Sequence, residues 1–461
     1  MIRNEPVNVP PPDAVTSRPG LVEFAGWVVW AACTAACIVK AVKDINKARS
    51  LGEDSWYPMI HALDFMRGPN PDQVYQTLFF SQHVKFQYPP SGVLFLDLLQ
   101  GLGVRSSADC NALNAGLMIV AGLALAAIAV RTLGPLRFLG IRIPVGPLAF
   151  LVTLRFYPNE DAFYLGQVQV WLNLLFVLSC LALLFERRFI AGCLIGAAAL
   201  VKPQFLPLGL LALLHRDWRF LGGLTVLVTS GFLASVSRYG LNAFFNYLPV
   251  LKFLSLHGEF EQSNQSINGI VGRLVYDGPP LDIDPQGPIV QSMFPPYIPV
   301  VYYTTLLTSI AMIAIPFLVQ AWRDTRVARA HETPLSRMLS ICFASTLFTM
   351  ASPISWLHHY GILLPGYVVV LKLILDREEG AGRWGALIAL GASFLMTAVP
   401  LSHLVDPTSP GAGLIRAHVF IGAWILLGLM LGNLIERPAP SPSLSAAALL
   451  RETPEPETSR Q

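Results

Sequence analysis

The sequence predicts an all-α polytopic membrane protein of about twelve transmembrane helices with large extracytoplasmic first and later loops, on three observations. Apolar residues make up 53% of the 461 positions and charged ones only 13%, against roughly 25% charged in a soluble domain. The apolar excess comes in repeated blocks of about 15 to 25 residues, the length of a helix that crosses roughly 30 Å of hydrocarbon, separated by short charged breaks. The period-two alternation of a membrane β-barrel is absent. A soluble globule of this size is excluded. The net charge of +3, from 32 basic and 29 acidic residues, is too balanced to point to nucleic acid. Of the six cysteines, Cys33, Cys37, Cys180, Cys193 and Cys342 fall inside apolar blocks and Cys110 at the edge of one, without CxxC spacing, so they read as small packing residues.

Residues 1–20 and the Pro- and Ser-rich stretch 437–461 hold too few large apolar residues to fold and are expected to be disordered cytoplasmic ends of a membrane domain spanning 21–436. The first block, 21–42, lacks a strongly basic leader and a small-residue cleavage site, so it is expected to stay as the first helix. Residues 43–90 form the first outer loop, in which an amphipathic helix runs from Asp54 to about Arg67 and stops at Gly68-Pro69-Asn70-Pro71. The stretch 91–103 has 13 residues interrupted by Asp97, too few to span, and reads as re-entrant or interfacial. Further spans are expected near 110–130, 144–157, 168–185, 189–201, 204–214, 219–237, 297–322, 338–352, 359–376, 384–399 and 415–435, with 239–296 as a large outer loop. Several are short for a bilayer and must borrow flanking residues or lie in a thinned region.

Basic loops stay in the cytoplasm. Arg131, Arg137 and Arg142 mark one such loop, Arg187 and Arg188 a second, Arg216 and Arg219 a third, Arg323, Arg326, Arg329 and Arg337 a fourth, and Arg377 and Arg383 a fifth, all on one side. This puts 43–90, 159–167, 239–296, 352–358 and 402–413 outside and both termini inside.

Most ionisable and aromatic polar residues collect in these outer loops and at the outer helix ends, a distribution that suggests chemistry at the outer interface. A transporter or flippase of lipid-linked sugars is the competing class. It is disfavoured by the absence of a half-to-half repeat and of mid-span charge pairs. Asp54 is suited either to cap a helix or to act as a base. Lys202, Arg155 and Arg238 are cations at outer helix ends, placed either to snorkel to headgroups or to hold an anion. His358 and His359 are adjacent and cannot share a helix face, which argues against a two-His metal site. Asn264-Gln265-Ser266 matches a glycosylation sequon but reads better as a set of polar contacts. Asp282-Ile283-Asp284, among Pro279, Pro280 and Pro285, reads as a surface turn, and no metal is assigned.

The order of motifs is more specific than any one of them. Asp54 opening a helix closed by Gly68, then Tyr88-Pro89-Pro90, resembles the first loop of the family 87 glycosyltransferases, and three later stretches are similar in order and spacing: Gly166-Gln167-Val168-Gln169, Lys202-Pro203-Gln204 and Asn264-Gln265-Ser266-Ile267-Asn268-Gly269. A fourth is Ser352-Pro353-Ile354-Ser355-Trp356-Leu357-His358-His359. That family consists of membrane enzymes of the GT-C class, which take a sugar, usually mannose, from a polyprenyl phosphate. The resemblance implies a GT-C-like fold, a polyprenyl-phosphate sugar donor, a glycolipid or glycan acceptor, the lipid bilayer as surroundings and no cofactor. It implies that Asp54 is the general base, with Glu53 as its neighbouring rival, and that His358 or His359 approaches it. It also implies a donor-phosphate contact by Lys202, with Arg155 and Arg238 as further candidates, and substrate contacts by Tyr57, Tyr88, Gln167, Asn264, Gln265 and Ser266. The expected location is the inner (plasma) membrane of a bacterium, with the site on the extracytoplasmic face. An arabinofuranosyl donor or an oligosaccharide ligase activity is the alternative within the same class.

Overall fold

The computed structural model of the protein describes residues 20–138, 140–276, 294–326, 332–401 and 415–435. The expected disordered ends and Asp282-Ile283-Asp284 therefore lie outside the described residues, apart from Gly20. Among the described residues, each of the twelve apolar stretches carries a helix, and five further helices lie between them in sequence.

α1 (Leu21–Lys47) leads to the outer loop, where α2 (Trp56–Met66) and α3 (Leu94–Gly101) are joined by short 3₁₀ and π turns. α4 (Ser107–Leu133) begins with a capping box, in which Ser106 Oγ accepts from the Asp109 N–H and the Asp109 carboxylate accepts from the Ser106 N–H. A two-stranded antiparallel ribbon, β1 (Arg137–Phe138) and β2 (Ile141–Arg142), turns the chain back between α4 and the next helix. α5 (Val145–Arg155) and α6 (Tyr157–Tyr164) meet at Phe156, whose extended backbone precedes a residue-pair ending in Pro158. α7 (Gln169–Leu184), α8 (Arg188–Val201) and α9 (Pro207–Leu214) pass back and forth beside α10 (Trp218–Tyr239). α11 (Leu241–His257) and α12 (Ile267–Val275) lie in the second outer segment. α13 (Pro299–Arg326), α14 (Pro334–Met350), α15 (Leu363–Leu375), α16 (Ala381–Ala398) and α17 (His418–Ile435) complete the bundle.

Among the described residues, six helical segments are long and apolar enough to cross a membrane: Val22–Ser50, Ser107–Leu133, Trp218–Tyr239, Pro299–Thr325, Leu357–Leu375 and His418–Ile435. Four shorter apolar helices pack among them. α8 and α10 cross closely because Gly192 and Gly223 let backbone meet backbone; a Cβ on Gly192 would overlap the Phe220 carbonyl, and one on Gly223 the Phe189 carbonyl.

The two outer segments read from the sequence as loops hold more helix than expected. Residues 159–167 largely belong to α6, and 239–296 contains α11 and α12. These short helices are packed onto the bundle mouth by aromatic contacts. Tyr75 lies between Phe86, stacked at 5.5 Å, and Tyr247 at 5.3 Å, and all three rings are buried.

Candidate active site at the outer helix ends

The site is assembled from a short backbone ladder. Gly52, Asp54 and Ser55 donate their N–H groups to the carbonyls of Tyr164 (3.0 Å), Leu165 (2.9 Å) and Gly166 (3.4 Å). Gly166 has φ +68°, and a Cβ there would overlap the Gly52 carbonyl oxygen, so only glycine allows the two chains this close. The ladder puts residue 54 directly against the turn that starts α7.

Asp54 is exposed, and its Oδ2 accepts a hydrogen bond from Gln167 Nε2. The Gln167 Oε1 accepts from Ser55 Oγ at 2.5 Å, and Ser55 Oγ also meets the Tyr88 hydroxyl at 3.0 Å. Asp54 therefore does not serve as the side-chain cap of α2. The residue before that helix is Ser55, with no side-chain cap bond. Glu53 points elsewhere, accepting from Ser107 Oγ at 3.0 Å.

Lys202 sits in the turn between α8 and α9. Its ammonium donates to Gln169 Oε1 at 2.8 Å and to His359 Nε2 at 2.5 Å. An ammonium has three donors, so one is left over. Burial pushes the Lys202 amine down to about 7, against the opposing pull of the Asp54 carboxylate. That pull means that Asp54 and Lys202 lie within electrostatic reach of each other. The Asp54 charge also reaches Tyr88, Glu259 and Glu261. The wall on this side is Lys85, which pairs with the buried Glu259 at 2.7 Å and lies 4.7 Å over the Trp356 ring, and Gln87, which donates to Glu259 at 3.2 Å. Burial raises the Glu259 carboxyl above its ordinary value in spite of Lys85.

The structure brings together Asp54, Gln167, Tyr88, Lys202 and His359 of the residues singled out in the sequence. The histidines are arranged differently from the expectation. His359 bonds Lys202, and His358 meets Asp161 at 3.2 Å and stacks parallel to Trp356; neither has a hydrogen bond to Asp54. Arg155 is not at this cluster but pairs with Glu160 at 2.9 Å, and Arg238 pairs with Asp97 at 2.8 Å, which Arg67 also holds. Neither arginine contacts Lys202. Tyr57 is half exposed and packs on His61 at 4.2 Å, outside the Asp54 network.

Asn264, Gln265 and Ser266 are fully buried, and their polar atoms are spent on the protein. Asn264 Nδ2 donates to the carbonyls of Glu259 (2.7 Å) and Pro353 (3.0 Å), and Gln265 Nε2 to those of Gln262 (3.0 Å) and Arg416 (2.7 Å). Ser266 Oγ donates to the Pro353 carbonyl at 2.8 Å. The expected sugar contacts are thus a clamp between the α11–α12 segment and the 352–356 turn, made from short polar side chains that supply the backbone groups of two loops with partners. The sequence reading did not single out Ser55, Gln169, Lys85, Gln87, Asp161 and Glu259. Gln169 alone had a signal, as the second glutamine of the Gly166–Gln169 motif.

A separate cavity of about 40 Å³ lies at the opposite end of the bundle, lined by His215, Glu332 and Arg337 among others. It has room for a few waters and not for a sugar.

No curated protein matches the chain. The sequence profile of glycosyltransferase family 87 matches residues 86–353, more than half of the 461; this segment holds Gln167, Gln169 and Lys202, His358 and His359 lie just beyond its end, and Asp54 is brought to it by the ladder. The helices and this match together make the chain an integral membrane protein that belongs to glycosyltransferase family 87.

Proposed function

We propose that the protein transfers mannose from a polyprenyl phosphate to an acceptor hydroxyl of a glycolipid or glycan at the extracytoplasmic face of a bacterial plasma membrane, by a single inverting displacement. The observation that carries the reading is that one turn, through Gln167 and Gln169, holds both an exposed carboxylate, Asp54, and a half-buried ammonium, Lys202.

The donor is a phosphodiester, so its activation is already present in the bond to C1 and no nucleotide is needed. The acceptor oxygen attacks C1 from the face opposite the phosphate, and its proton passes to Asp54. The C1–O bond to phosphate breaks through an oxocarbenium-like state, and polyprenyl phosphate leaves with an added negative charge. Oδ2 of Asp54 is held by Gln167, which leaves Oδ1 to take the proton. The remaining N–H of Lys202 meets the growing charge on the phosphate, where an unpaired charge near the bilayer costs several kcal/mol.

The test uses purified protein in detergent with polyprenyl-phosphate-mannose and octyl mannoside as acceptor. Turnover without a membrane gradient supports the reading, and its absence in Asp54→Asn assigns the base. Binding of the donor with no transfer to either octyl mannoside or water overturns the reading in favour of a carrier of lipid-linked sugars.

A further inference from the structure

We propose that the Gly166–Gln169 turn is a gauge that fixes the general base and the phosphate cation at a set separation, with Gln167 and Gln169 as positioning residues and not substrate contacts. The proposal rests on the roles given above to Asp54 and Lys202.

The two glutamines are two positions apart on one turn, and each reaches one of the two charged groups. Gln167 holds Asp54, and Gln169 holds Lys202. Both are buried, at 6% and 2% exposure, and each side-chain amide has a protein partner at its nitrogen and another at its oxygen.

The polarity of each chain of bonds is unique. A carboxylate only accepts, so the Gln167 nitrogen faces Asp54 and its oxygen faces Ser55; the Ser55 hydroxyl must donate to that oxygen and accepts in turn from the Tyr88 hydroxyl. An ammonium only donates, so the Gln169 oxygen faces Lys202 and its nitrogen donates to Asn173 Oδ1 at 2.8 Å. Asn173 Nδ2 then donates to Asn159 Oδ1 at 2.9 Å, and Asn159 Nδ2 ends the chain at the Thr153 carbonyl, 3.0 Å away, a group that only accepts. Four successive donors thus run in one direction from the ammonium to a backbone carbonyl. The chain is braced by the 357–362 turn, because Gly361 lies so close to Asn159 and Asn173 that a Cβ there would overlap both side chains. At its N-terminal end the turn is locked by the contact of Gly166 with the Gly52 carbonyl. Both rotamers are therefore set by groups that cannot reverse, and the backbone between them spans only Val168, which is fully buried.

A residue that merely supports the fold lowers kcat and donor affinity together. A gauge of this kind separates them by end. The variants are Gln167→Met and Gln169→Met, which keep length and remove the hydrogen bonds, assayed with polyprenyl-phosphate-mannose and octyl mannoside for kcat, donor KM and melting temperature. Gln167→Met is expected to lower kcat roughly ten- to hundredfold with donor KM within about twofold. Gln169→Met is expected to raise donor KM roughly tenfold with kcat within about twofold. Ser55→Ala frees the Gln167 amide without touching Asp54 and is expected to lower kcat with donor KM unchanged, in the same direction as Gln167→Met, which keeps the test open should that variant not fold. The gauge is overturned if Ser55→Ala and the folded glutamine variants keep the wild-type kcat and KM, or if both glutamine variants lose kcat and donor affinity in parallel with melting temperature. Wild-type protein without turnover, or Asp54→Asn at full rate, overturns the parent reading instead.

Discussion

Adjacent carboxylates on a turning backbone leave it in different directions, and Glu53 and Asp54 show what that separation does. Glu53 is engaged by Ser107 at the start of α4, whereas Asp54 is held by Gln167 and lies within electrostatic reach of Lys202. Asp54→Asn is expected to lower kcat by about 10²- to 10⁴-fold with little change in donor KM, since it removes a proton acceptor and not a binding contact. Glu53→Gln is expected to keep near-normal turnover; steady-state kinetics on the two variants checks both, and an inactive Glu53→Gln beside an active Asp54→Asn would exchange their roles. Lys202 gives a pH prediction. Its amine is pushed down to about 7, so it is charged below that pH and neutral above it. The phosphodiester stays anionic throughout, so donor affinity is expected to be greatest below about pH 7 and to fall as pH rises through it, a trend that Lys202→Met should flatten; titration of polyprenyl-phosphate-mannose binding measures this. Lys202 and Asp54 were legible in the sequence because each is a polar residue beside a long apolar run in a recognisable motif. Arg155 and Arg238 gave the same kind of signal for a different reason: a cation at a helix end looks alike in sequence whether it is bound to Glu160 or Asp97 or is turned to a ligand.

The ladder between 52–55 and 164–166 carries the site at the level of elements, and Gly166 is its weak point. Gly166→Ala adds a left-handed penalty of about 1–2 kcal/mol to a clash with the Gly52 carbonyl, and the clash has no flexible side chain to absorb it. Gly134, with φ +63°, has open space where its Cβ would go, so Gly134→Ala meets only the conformational penalty. Gly166→Ala is therefore expected to lower the melting temperature more than Gly134→Ala and to abolish turnover, while Gly134→Ala stays active; thermal unfolding in detergent followed by assay compares the two. The glycine in the Gly-Gln-Val-Gln motif was visible in the sequence. Its partner was not, because the contact joins residues more than a hundred positions apart and no local pattern records it. α11 was hidden for another reason. It follows α10 after the single Gly240, carries Pro249 in its interior and exposes Phe245, Leu248 and Leu251, so its apolar face is that of a helix lying at the surface of the bundle. A reading that looks for spans has no class for it and assigns it to a loop. The clamp made by Asn264, Gln265 and Ser266 leaves no distinct mark in the sequence, since a side chain that satisfies backbone carbonyls and one that satisfies sugar hydroxyls are the same residue types.

At the scale of the whole molecule, the apolar blocks and their order were legible because burying or solvating a helix in lipid leaves a compositional mark that no other force imitates. The number of crossings was harder to read. α5 has 11 residues and α7 has 16, which at 1.5 Å per residue reach only about 16 and 24 Å, less than the roughly 30 Å of hydrocarbon. Such helices must be completed by neighbouring turns, and packing rather than composition decides how. The polarity of the bundle is better determined. α4, α7, α9 and α15 run from the end that holds Asp54 and Lys202 toward Arg131, Arg187, Arg216 and Arg377, and α8, α10 and α14 run back from basic ends to Lys202, Arg238 and the 352–356 turn. Seven helices thus agree that Asp54 and Lys202 are at one end and the arginine-rich loops at the other. If the basic loops are retained in the cytoplasm, as the proposed orientation has it, Asp54 and Lys202 are expected on the far side, where a lipid-linked donor would need no nucleotide. Single cysteines replacing Gln82, exposed in the outer segment, and Glu186, in the turn after α7, separate the two ends. In intact cells an impermeant thiol reagent is expected to label position 82 and to reach position 186 only after permeabilisation. Labelling of 186 alone would place Asp54 and Lys202 in the cytoplasm, beside nucleotide sugars, and the polyprenyl-phosphate donor would lose its rationale.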